Sequence, residues 1–260
     1  MKRFAVLFAA ASLLILNSCA LFQKENAVTQ VSTIDALING VYEDKVTLAD
    51  LRSSGDFGIG TLNFIDGELL LVDGEFYRVK ADGTVDQPSD EDMTPFASVA
   101  FFRNYSLQRV QEGVDYKNFK KDTDKSIETE NIFYAIRLEG TFTSVKTRSV
   151  PKQEKPFKPL IEVVKKQPVF KFENVKGVMV GFRCPPFVKG INVPGYHLHF
   201  LTDDKKGGGH VLDFTVDNAK VKICRVFNFK MILPDNKAFF KTDLSINREK
   251  ELKKVESDKK

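Results

Sequence analysis

The sequence predicts an α/β protein of the α+β kind, in which two sheet-rich halves hold largely antiparallel or mixed β-sheets and a few short helices. Three observations indicate this class. Residues 58–83 consist of short apolar runs separated by Asp-Gly dipeptides, which are typical of β-hairpin turns. Residues 131–151 and 169–234 are rich in β-branched and aromatic side chains, which favour strands. Helical spacing of apolar residues occurs only in short segments.

The N-terminal residues form a segment of their own. Lys2 and Arg3 precede an apolar run that is too short to span a bilayer, as in an export signal. The run ends in L-N-S-C, at Cys19, which resembles the lipobox of bacterial lipoproteins. We therefore expect residues 1–18 to be a lipoprotein signal peptide, Cys19 to carry a lipid, and the exported protein to be anchored to a bacterial membrane, in the periplasm or at the cell surface. The alternative is a plain secretory signal in which Cys19 has no role.

The charge of the remaining chain is nearly balanced. Cleavage after residue 18 would remove Lys2 and Arg3 from the 39 basic residues, which leaves 37 against 35 acidic ones. The sequence also lacks a basic run interleaved with aromatic residues. Both observations argue against nucleic-acid binding. The lipid anchor is the one contact with a membrane that we expect.

The N-terminal part is expected to contain a tether, two short helices and a set of strands. Residues 19–31 would link the lipid to the folded part. Helical spacing follows in residues 33–42 and 46–52, and Thr47 is a possible cap of the second helix. From residue 58 the pattern becomes that of an antiparallel meander.

The centre of the chain alternates between strand-like and irregular patterns. Residues 94–102 predict a strand, whereas the charged residues 104–130 predict a helix and loops. The run over 131–151 predicts two strands, because a Glu-Gly pair at 139–140 interrupts it. We expect residues 32–150 to form an N-terminal mixed-sheet domain.

The C-terminal part begins with a short predicted helix and continues as strands. Pro159 lies in the first turn of this helix, and Pro168 follows its end. Strand patterns extend to about residue 234, and a Lys-rich tail closes the chain. We expect residues 151–260 to form a second, β-rich domain.

All three histidines of the chain lie in the segment Y-H-L-H-F-L-T-D-D-K-K-G-G-G-H, at positions 197, 199 and 210. Its first five residues predict a strand, on which His197 and His199 project to the same face. The glycines predict a turn that returns the chain and brings His210 beside that pair. Three neutral imidazoles with an open position match a catalytic zinc site, and they also suit other divalent transition metals. The C-terminal domain is thus expected to bind metal, unless the three side chains are merely neighbours.

Residues 32–256 resemble the alpha-acetolactate decarboxylases. The resemblance is carried by five ordered segments: G-D-F-G-I-G-T-L-N-F-I-D-G-E-L at 55–69, V-D-G-E-F-Y-R-V-K-A-D-G at 72–83, T-P-F-A-S-V-A-F-F at 94–102, G-T-F-T-S-V-K-T-R-S-V-P at 140–151, and G-I-N-V-P-G-Y-H-L-H-F-L-T-D-D-K-K-G-G-G-H at 190–210. It implies a two-domain α/β fold, a homodimer, and a metal-dependent lyase that converts 2-acetolactate to (R)-acetoin and carbon dioxide.

The same resemblance implies roles for individual residues of this chain. The implied set consists of the metal ligands His197, His199 and His210 and the catalytic residues Thr61, Glu68, Arg148 and Glu256. Arg148 would orient the substrate carboxylate, while Glu68 and Glu256 would transfer the proton. The carbonyl and hydroxyl oxygens of the substrate can chelate a divalent metal, which would stabilise the enediolate left by loss of carbon dioxide. Because Glu256 belongs to a Lys-rich tail, its role requires that tail to fold back over the histidines.

Two other functions fit part of the pattern. The first is a three-histidine zinc hydratase or hydrolase with another substrate. The second is a surface lipoprotein that binds metal without catalysis, which would be favoured if Glu68 and Arg148 lay far from the histidines.

Four further residues invite an interpretation. Cys184 and Cys224 could pair as a disulfide in an exported protein or remain two buried thiols. Asp203 and Asp204 could add to the metal ligands, but their place in the turn favours a structural role.

Overall fold

The structure is a computed structural model that describes residues 26–256. The predicted signal peptide of residues 1–18 and the predicted lipidation site at Cys19 lie outside the described residues. Within residues 26–256 the helices are α1 (Ile34–Ile38), α2 (Leu48–Arg52), α3 (Tyr116–Ser126), α4 (Leu160–Val163), α5 (Lys237–Lys241) and α6 (Glu249–Glu256). The strands are β1 (Ala27–Val31), β2 (Phe57–Thr61), β3 (Glu68–Val72), β4 (Glu75–Val79), β5 (Val85–Asp86), β6 (Phe96–Ala100), β7 (Tyr105–Val110), β8 (Phe133–Arg148), β9 (Val169–Cys184), β10 (Gly195–Thr202), β11 (Gly208–Val226) and β12 (Asn228–Ile232).

The strands form two sheets. The first has seven strands in the order β12-β1-β6-β2-β3-β4-β5, and it is mixed because β1 and β12 run parallel. The second has five strands in the order β10-β9-β8-β11-β7, and its paired strands are antiparallel. An additional pairing of β10 with β11 closes the strands β8 to β11 into a ring. The predicted fold class, with antiparallel and mixed sheets and a few short helices, is confirmed.

Local sequence signals explain several of these elements. Asp73 and Gly74 join β3 to β4, and both take positive φ angles, as the Asp-Gly dipeptide predicts. The hydroxyl of Thr47 accepts a hydrogen bond from the main-chain N–H of Asp50, while the Asp50 side chain accepts one from the N–H of Thr47. This capping box begins α2 at the predicted position.

The two sheets pack face to face through one large apolar cluster. Its members on the first sheet include Phe57, Ile59 and Leu70, and those on the second include Val180 and Phe182. A second cluster fills the space between the ring of strands and α3. A third joins α1, α4 and α6 to the end of the sheets where the histidines lie.

The structure differs from the sequence-based prediction at three elements. β8 is one continuous strand rather than two, because Gly140 pairs closely with β11, where a side chain would collide with the main-chain oxygen of Asn218. β7 was not predicted, since it is an edge strand whose side chains are almost all exposed and whose alternation breaks off at Arg109. β1 occupies residues 27–31, which the sequence analysis assigned to the tether.

The sheets draw strands from both sides of residue 150. β7 and β8 precede it and belong to the second sheet, whereas β12 follows it and belongs to the first. The division into domains at that residue stays a prediction. Within residues 26–256, no helix combines the length and the apolar character needed to cross a membrane.

Candidate metal centre and active site

The histidine hairpin forms as its spacing predicts. β10 carries His197 and His199 on one face, and β11 returns so that His210 pairs directly with His199. All three side chains are buried. The Nε2 atom of His197 lies 3.1 Å from Nδ1 of His210 and 3.3 Å from Nε2 of His199. Among the described residues, these three form the group whose ligand atoms converge closely enough to hold one metal ion.

The separations between these nitrogens fit a zinc site. Nitrogens bound tetrahedrally at about 2.0–2.1 Å from one ion stand roughly 3.3 Å apart. Burial lowers the pKa of His197 to about 3 and the pKa values of His199 and His210 well below the usual range, and the charge of Arg148 lowers all three further. The imidazoles are therefore neutral, which is the form that binds a metal.

A main-chain contact fixes the orientation of one candidate metal ligand, His199. The Nδ1 atom of His199 lies 2.9 Å from the carbonyl oxygen of Leu69 on β3. A carbonyl oxygen can only accept, so Nδ1 carries the proton and Nε2 retains its lone pair. That lone pair belongs to the nitrogen that faces His197.

Glu68 begins β3 and lies beside the histidines. Its Oε2 atom is 3.4 Å from Nε2 of His199, and its side chain is 10% exposed. Burial raises the pKa of Glu68 to about 7, the negative charge of Glu256 raises it as well, and the positive charge of Arg148 opposes both effects. This carboxyl can therefore hold a proton near neutral pH.

Glu256 reaches the histidines from the last turn of α6. Its Oε2 atom lies 3.6 Å from Nε2 of His210 and 4.0 Å from Nε2 of His197. Leu252 and Val255 hold the helix in place, because both are buried in the apolar cluster that includes α1 and α4. Burial raises the pKa of Glu256, while the charge of Arg148 lowers it. The C-terminal segment thus folds back over the site.

Arg148 and Thr61 complete the set of predicted residues. Arg148 ends β8 opposite His210, and its guanidinium Nη2 lies 3.8 Å from Oε1 of Glu256. Thr61 pairs with Glu68 across β2 and β3, and its hydroxyl donates a hydrogen bond of 2.7 Å to the carbonyl oxygen of Gly67. Thr61 thus supports the turn that places Glu68.

These side chains line one small cavity of about 50 Å³. The predicted residues on its wall are Thr61, Glu68, Arg148, His197, His199, His210 and Glu256. The other side chains on the wall are apolar and come from α1, α4, α6, β6 and nearby turns and loops, namely Ile34, Leu37, Ile65, Phe96, Val150, Leu160, Val164 and Val255. A larger cavity of about 760 Å³ adjoins it and shares His197, His210 and Glu256. The buried guanidinium of Arg148, two carboxyls and three neutral imidazoles therefore face a mostly apolar space. Electrostatic interactions are stronger there than in water.

Comparison with known proteins assigns the family. A family model described as alpha-acetolactate decarboxylase matches residues 28–246 of this chain. The chain belongs to the alpha-acetolactate decarboxylase family. Its resemblance to that family, first recognised in five sequence segments, is confirmed.

Several members of this family are similar over most of their length. The alpha-acetolactate decarboxylase of Methanosarcina mazei is 44% identical over 227 residues, which cover 87% of this chain and 79% of that protein. That of Bacillus subtilis is 41% identical over 222 residues, covering 85% and 87%. A crystal structure of alpha-acetolactate decarboxylase from Bacillus subtilis superposes with a TM-score of 0.88 at 40% identity and covers 89% of this chain and all of that one.

Four other candidate residues lie apart from the three histidines in this member of the alpha-acetolactate decarboxylase family. Cys184 and Cys224 are both buried and both free, so they do not form a disulfide. Asp204 accepts hydrogen bonds from the Thr202 hydroxyl and the main-chain N–H of Lys206, which is a structural role in the turn. Asp203 pairs with a surface lysine.

One polar neighbour of the site, Gln167, was not predicted from the sequence. Gln167 accepts a hydrogen bond of 2.7 Å from the Nη1 atom of Arg148. A single glutamine before a proline carries no pattern that would identify it. The apolar wall was missed for a different reason, because its residues come from three helices, strand β6 and the turns and loops near them, which only the fold brings together.

Proposed function

We propose that this protein decarboxylates 2-acetolactate to (R)-acetoin and carbon dioxide, with zinc or another divalent transition metal as its cofactor. The observation that carries the proposal is the convergence of the three histidines, two carboxyls and Arg148 on one cavity. The names of the similar proteins support the same substrate.

The histidines and Arg148 would divide the binding of substrate between them. His197, His199 and His210 would hold the metal, which supplies a Lewis acid for the negative charge that develops on the substrate oxygens. The buried guanidinium of Arg148 would bind the carboxylate of the substrate and orient the bond to be broken. The low polarity of the surrounding wall strengthens both interactions.

The two carboxyls would handle the proton that the reaction requires. Cleavage of the bond between the carboxylate carbon and the adjacent carbon releases carbon dioxide and leaves an electron pair on that adjacent carbon. One proton must then be delivered to this carbon to form acetoin. The raised pKa values of Glu68 and Glu256 allow a protonated carboxyl to persist near the substrate, and either side chain borders the cavity.

The proximity of Glu68 and Arg148 to the histidines supports catalysis over simple metal binding. A protein that only sequesters metal does not need a buried cation and two acids around its ligands. The experiment is to incubate the full-length, metal-loaded protein with 2-acetolactate and to measure acetoin and carbon dioxide. Equal amounts of both support the proposal. No acetoin, together with hydration of carbon dioxide or hydrolysis of a simple ester, would favour the hydratase or hydrolase alternative.

We propose that the protein acts as an exported, lipid-anchored enzyme. The support is the L-N-S-C sequence that ends at Cys19 after the apolar N-terminal run. The test is metabolic labelling with a radioactive fatty acid in a bacterial host, comparing the natural chain with Cys19→Ala. Label in the membrane fraction that disappears in the variant supports the anchor, whereas an unlabelled natural chain contradicts it.

We also propose a homodimer. The edge strand β12 is bordered by exposed apolar side chains, Phe227 and Leu233, and carries the partly exposed Met231. An open strand edge with apolar side chains is suited to cover by a second copy. Sedimentation of the purified protein at twice the mass of the chain supports the dimer, and a monomer at micromolar concentration contradicts it.

A further inference from the structure

Gln167 is not among the residues that line the cavity, but its side chain contacts Arg148, which is. Its Oε1 atom accepts the 2.7 Å hydrogen bond from Nη1 of the guanidinium. Gln167 ends the turn that follows α4, and the next residue, Pro168, accepts a main-chain hydrogen bond from Ser149. The side-chain amide of Gln167 therefore belongs to a segment that is hydrogen-bonded to Ser149, the residue that follows Arg148.

The remaining nitrogens of Arg148 leave room for a ligand. Nη2 lies 3.8 Å from Oε1 of Glu256, which is longer than a hydrogen bond. Nε is buried, and none of the residues that the structure describes is its hydrogen-bond partner. A buried donor without a partner costs free energy unless a ligand or water satisfies it. Arg148 thus lines the cavity with donors still available on Nη2 and Nε, while Gln167 accepts the hydrogen bond from Nη1.

The neutrality of Gln167 matters for the binding of an anion. A carboxylate at position 167 would accept the same hydrogen bond, but it would also neutralise the guanidinium. The side chain of Arg148 is only 4% exposed, so water screens its charge weakly. With an amide as its partner, the positive charge of Arg148 remains available to a carboxylate in the cavity.

We propose that Gln167 is a positioning residue that fixes the guanidinium of Arg148 for the substrate carboxylate and, being neutral, leaves its charge to that carboxylate. The inference rests on the proposed function, because the carboxylate in question is that of 2-acetolactate. Gln167 acts through Arg148 and does not touch the substrate. Its effect is therefore on the binding of a carboxylate rather than on the metal or on the proton transfer.

Three substitutions in the full-length, zinc-loaded protein test the proposal. Gln167→Met removes the acceptor at similar length, and Gln167→Glu keeps the acceptor but adds a negative charge. Gln153→Met is the matched control, because the side-chain amide of Gln153 donates a hydrogen bond to a near neighbour in the chain, the carbonyl oxygen of Pro151. We expect both Gln167 variants to raise KM for 2-acetolactate about tenfold or more with a smaller change in kcat, and the control to leave both constants unchanged.

Two ligands separate positioning from general damage to the site. Acetoin has no carboxylate, whereas 2-hydroxy-2-methylpropanoate has a carboxylate next to a hydroxyl. We expect both Gln167 variants to weaken binding of 2-hydroxy-2-methylpropanoate, measured by calorimetry, and to leave inhibition by acetoin unchanged. General loosening of the site would weaken the binding of both ligands, so an equal loss of affinity for both overturns the proposal. KM values for 2-acetolactate within about twofold of that of the natural protein also overturn it.

The binding experiment also separates this proposal from the proposed function. If the natural protein fails to decarboxylate 2-acetolactate, the function is wrong, but binding of 2-hydroxy-2-methylpropanoate still decides the role of Gln167. Binding to the natural protein that is lost in both variants supports the role. Absence of binding to the natural protein contradicts it, because Arg148 would then not receive a carboxylate.

Discussion

The Nδ1 atom of His199 lies 2.9 Å from the main-chain oxygen of Leu69, and this contact joins the two sheets at the candidate metal centre. Leu69 directly follows Glu68 in β3. One strand of the first sheet therefore orients a candidate metal ligand on the second sheet and also supplies an acid beside it. The position of Glu68 relative to the histidines is set by the main chain, which is more rigid than a contact between two side chains.

Substitution of His199 should abolish metal binding. We expect His199→Ala to lose its metal on dialysis, because only two imidazoles would remain and no other described side chain joins the group. Acetoin formation should fall by more than about 100-fold, which exceeds the cost of losing a contact that merely supports a ligand. Elemental analysis of the dialysed protein checks the prediction. Retention of one metal per chain would show that other atoms hold it.

Neutralising either acid should slow the reaction without releasing the metal. We expect Glu68→Gln and Glu256→Gln to lower kcat by about 10²- to 10⁴-fold, the usual contribution of a positioned acid or base. The control is Glu75→Gln, since Glu75 also follows an Asp-Gly pair but is exposed. Rates from acetoin assays, with metal content measured in parallel, check the prediction. A variant at Glu68 or Glu256 with the rate of the control would contradict the assigned role.

The anchoring of α6 should matter more for activity than for global stability. Leu252→Ala removes a buried side chain that holds the helix, and such truncations typically cost about 2–5 kcal/mol in a core. Because Leu252 and Val255 are the buried residues of α6, we expect the helix to loosen locally and to withdraw Glu256 from the histidines. Lys254→Ala on the exposed face is the control.

Hydrogen exchange and acetoin assays together check this expectation. Faster exchange over residues 249–256 should accompany a lower kcat in Leu252→Ala, with the midpoint of thermal unfolding changed little. Faster exchange with full activity would mean that the helix does not position Glu256.

The two internal cysteines should be inert in the folded protein. Burial raises the pKa of the Cys184 thiol to about 12 and also raises the pKa of the Cys224 thiol, so both remain protonated at neutral pH. Protonated, inaccessible thiols react slowly with thiol reagents. We expect denaturation to expose two more reactive thiols than the folded protein offers, whatever the state of Cys19. Titration with a chromogenic disulfide checks this, and no increase would indicate an oxidised pair.

The sequence was most informative where local chemistry determines the structure. Alternation over residues 196–200 and the glycines after them predict that the histidines converge, because strand periodicity and turn chemistry act over short distances. The Asp-Gly turns around β3 and the cap at Thr47 were predicted for the same reason. These signals do not depend on distant parts of the chain.

Other features depend on contacts between distant segments. Gly140 looks like an interruption of β8, but its actual role is a close approach to β11, some 80 residues later. The tail carrying Glu256 has the composition of a solvated helix, and only the family resemblance indicated its place. Gln167 gave no signal, because an amide that orients a guanidinium needs no motif.

The metal dependence of the proposed reaction is best measured as decarboxylation of 2-acetolactate by the full-length protein before chelation, after removal of metal, and after stoichiometric addition of zinc. We predict that acetoin and carbon dioxide form in equal amounts, that formation stops on chelation, and that one zinc ion per chain restores it in the natural protein but not in His199→Ala. Undiminished acetoin formation by the metal-free protein, or no acetoin formation by the zinc-loaded protein, would contradict metal-dependent decarboxylation of 2-acetolactate.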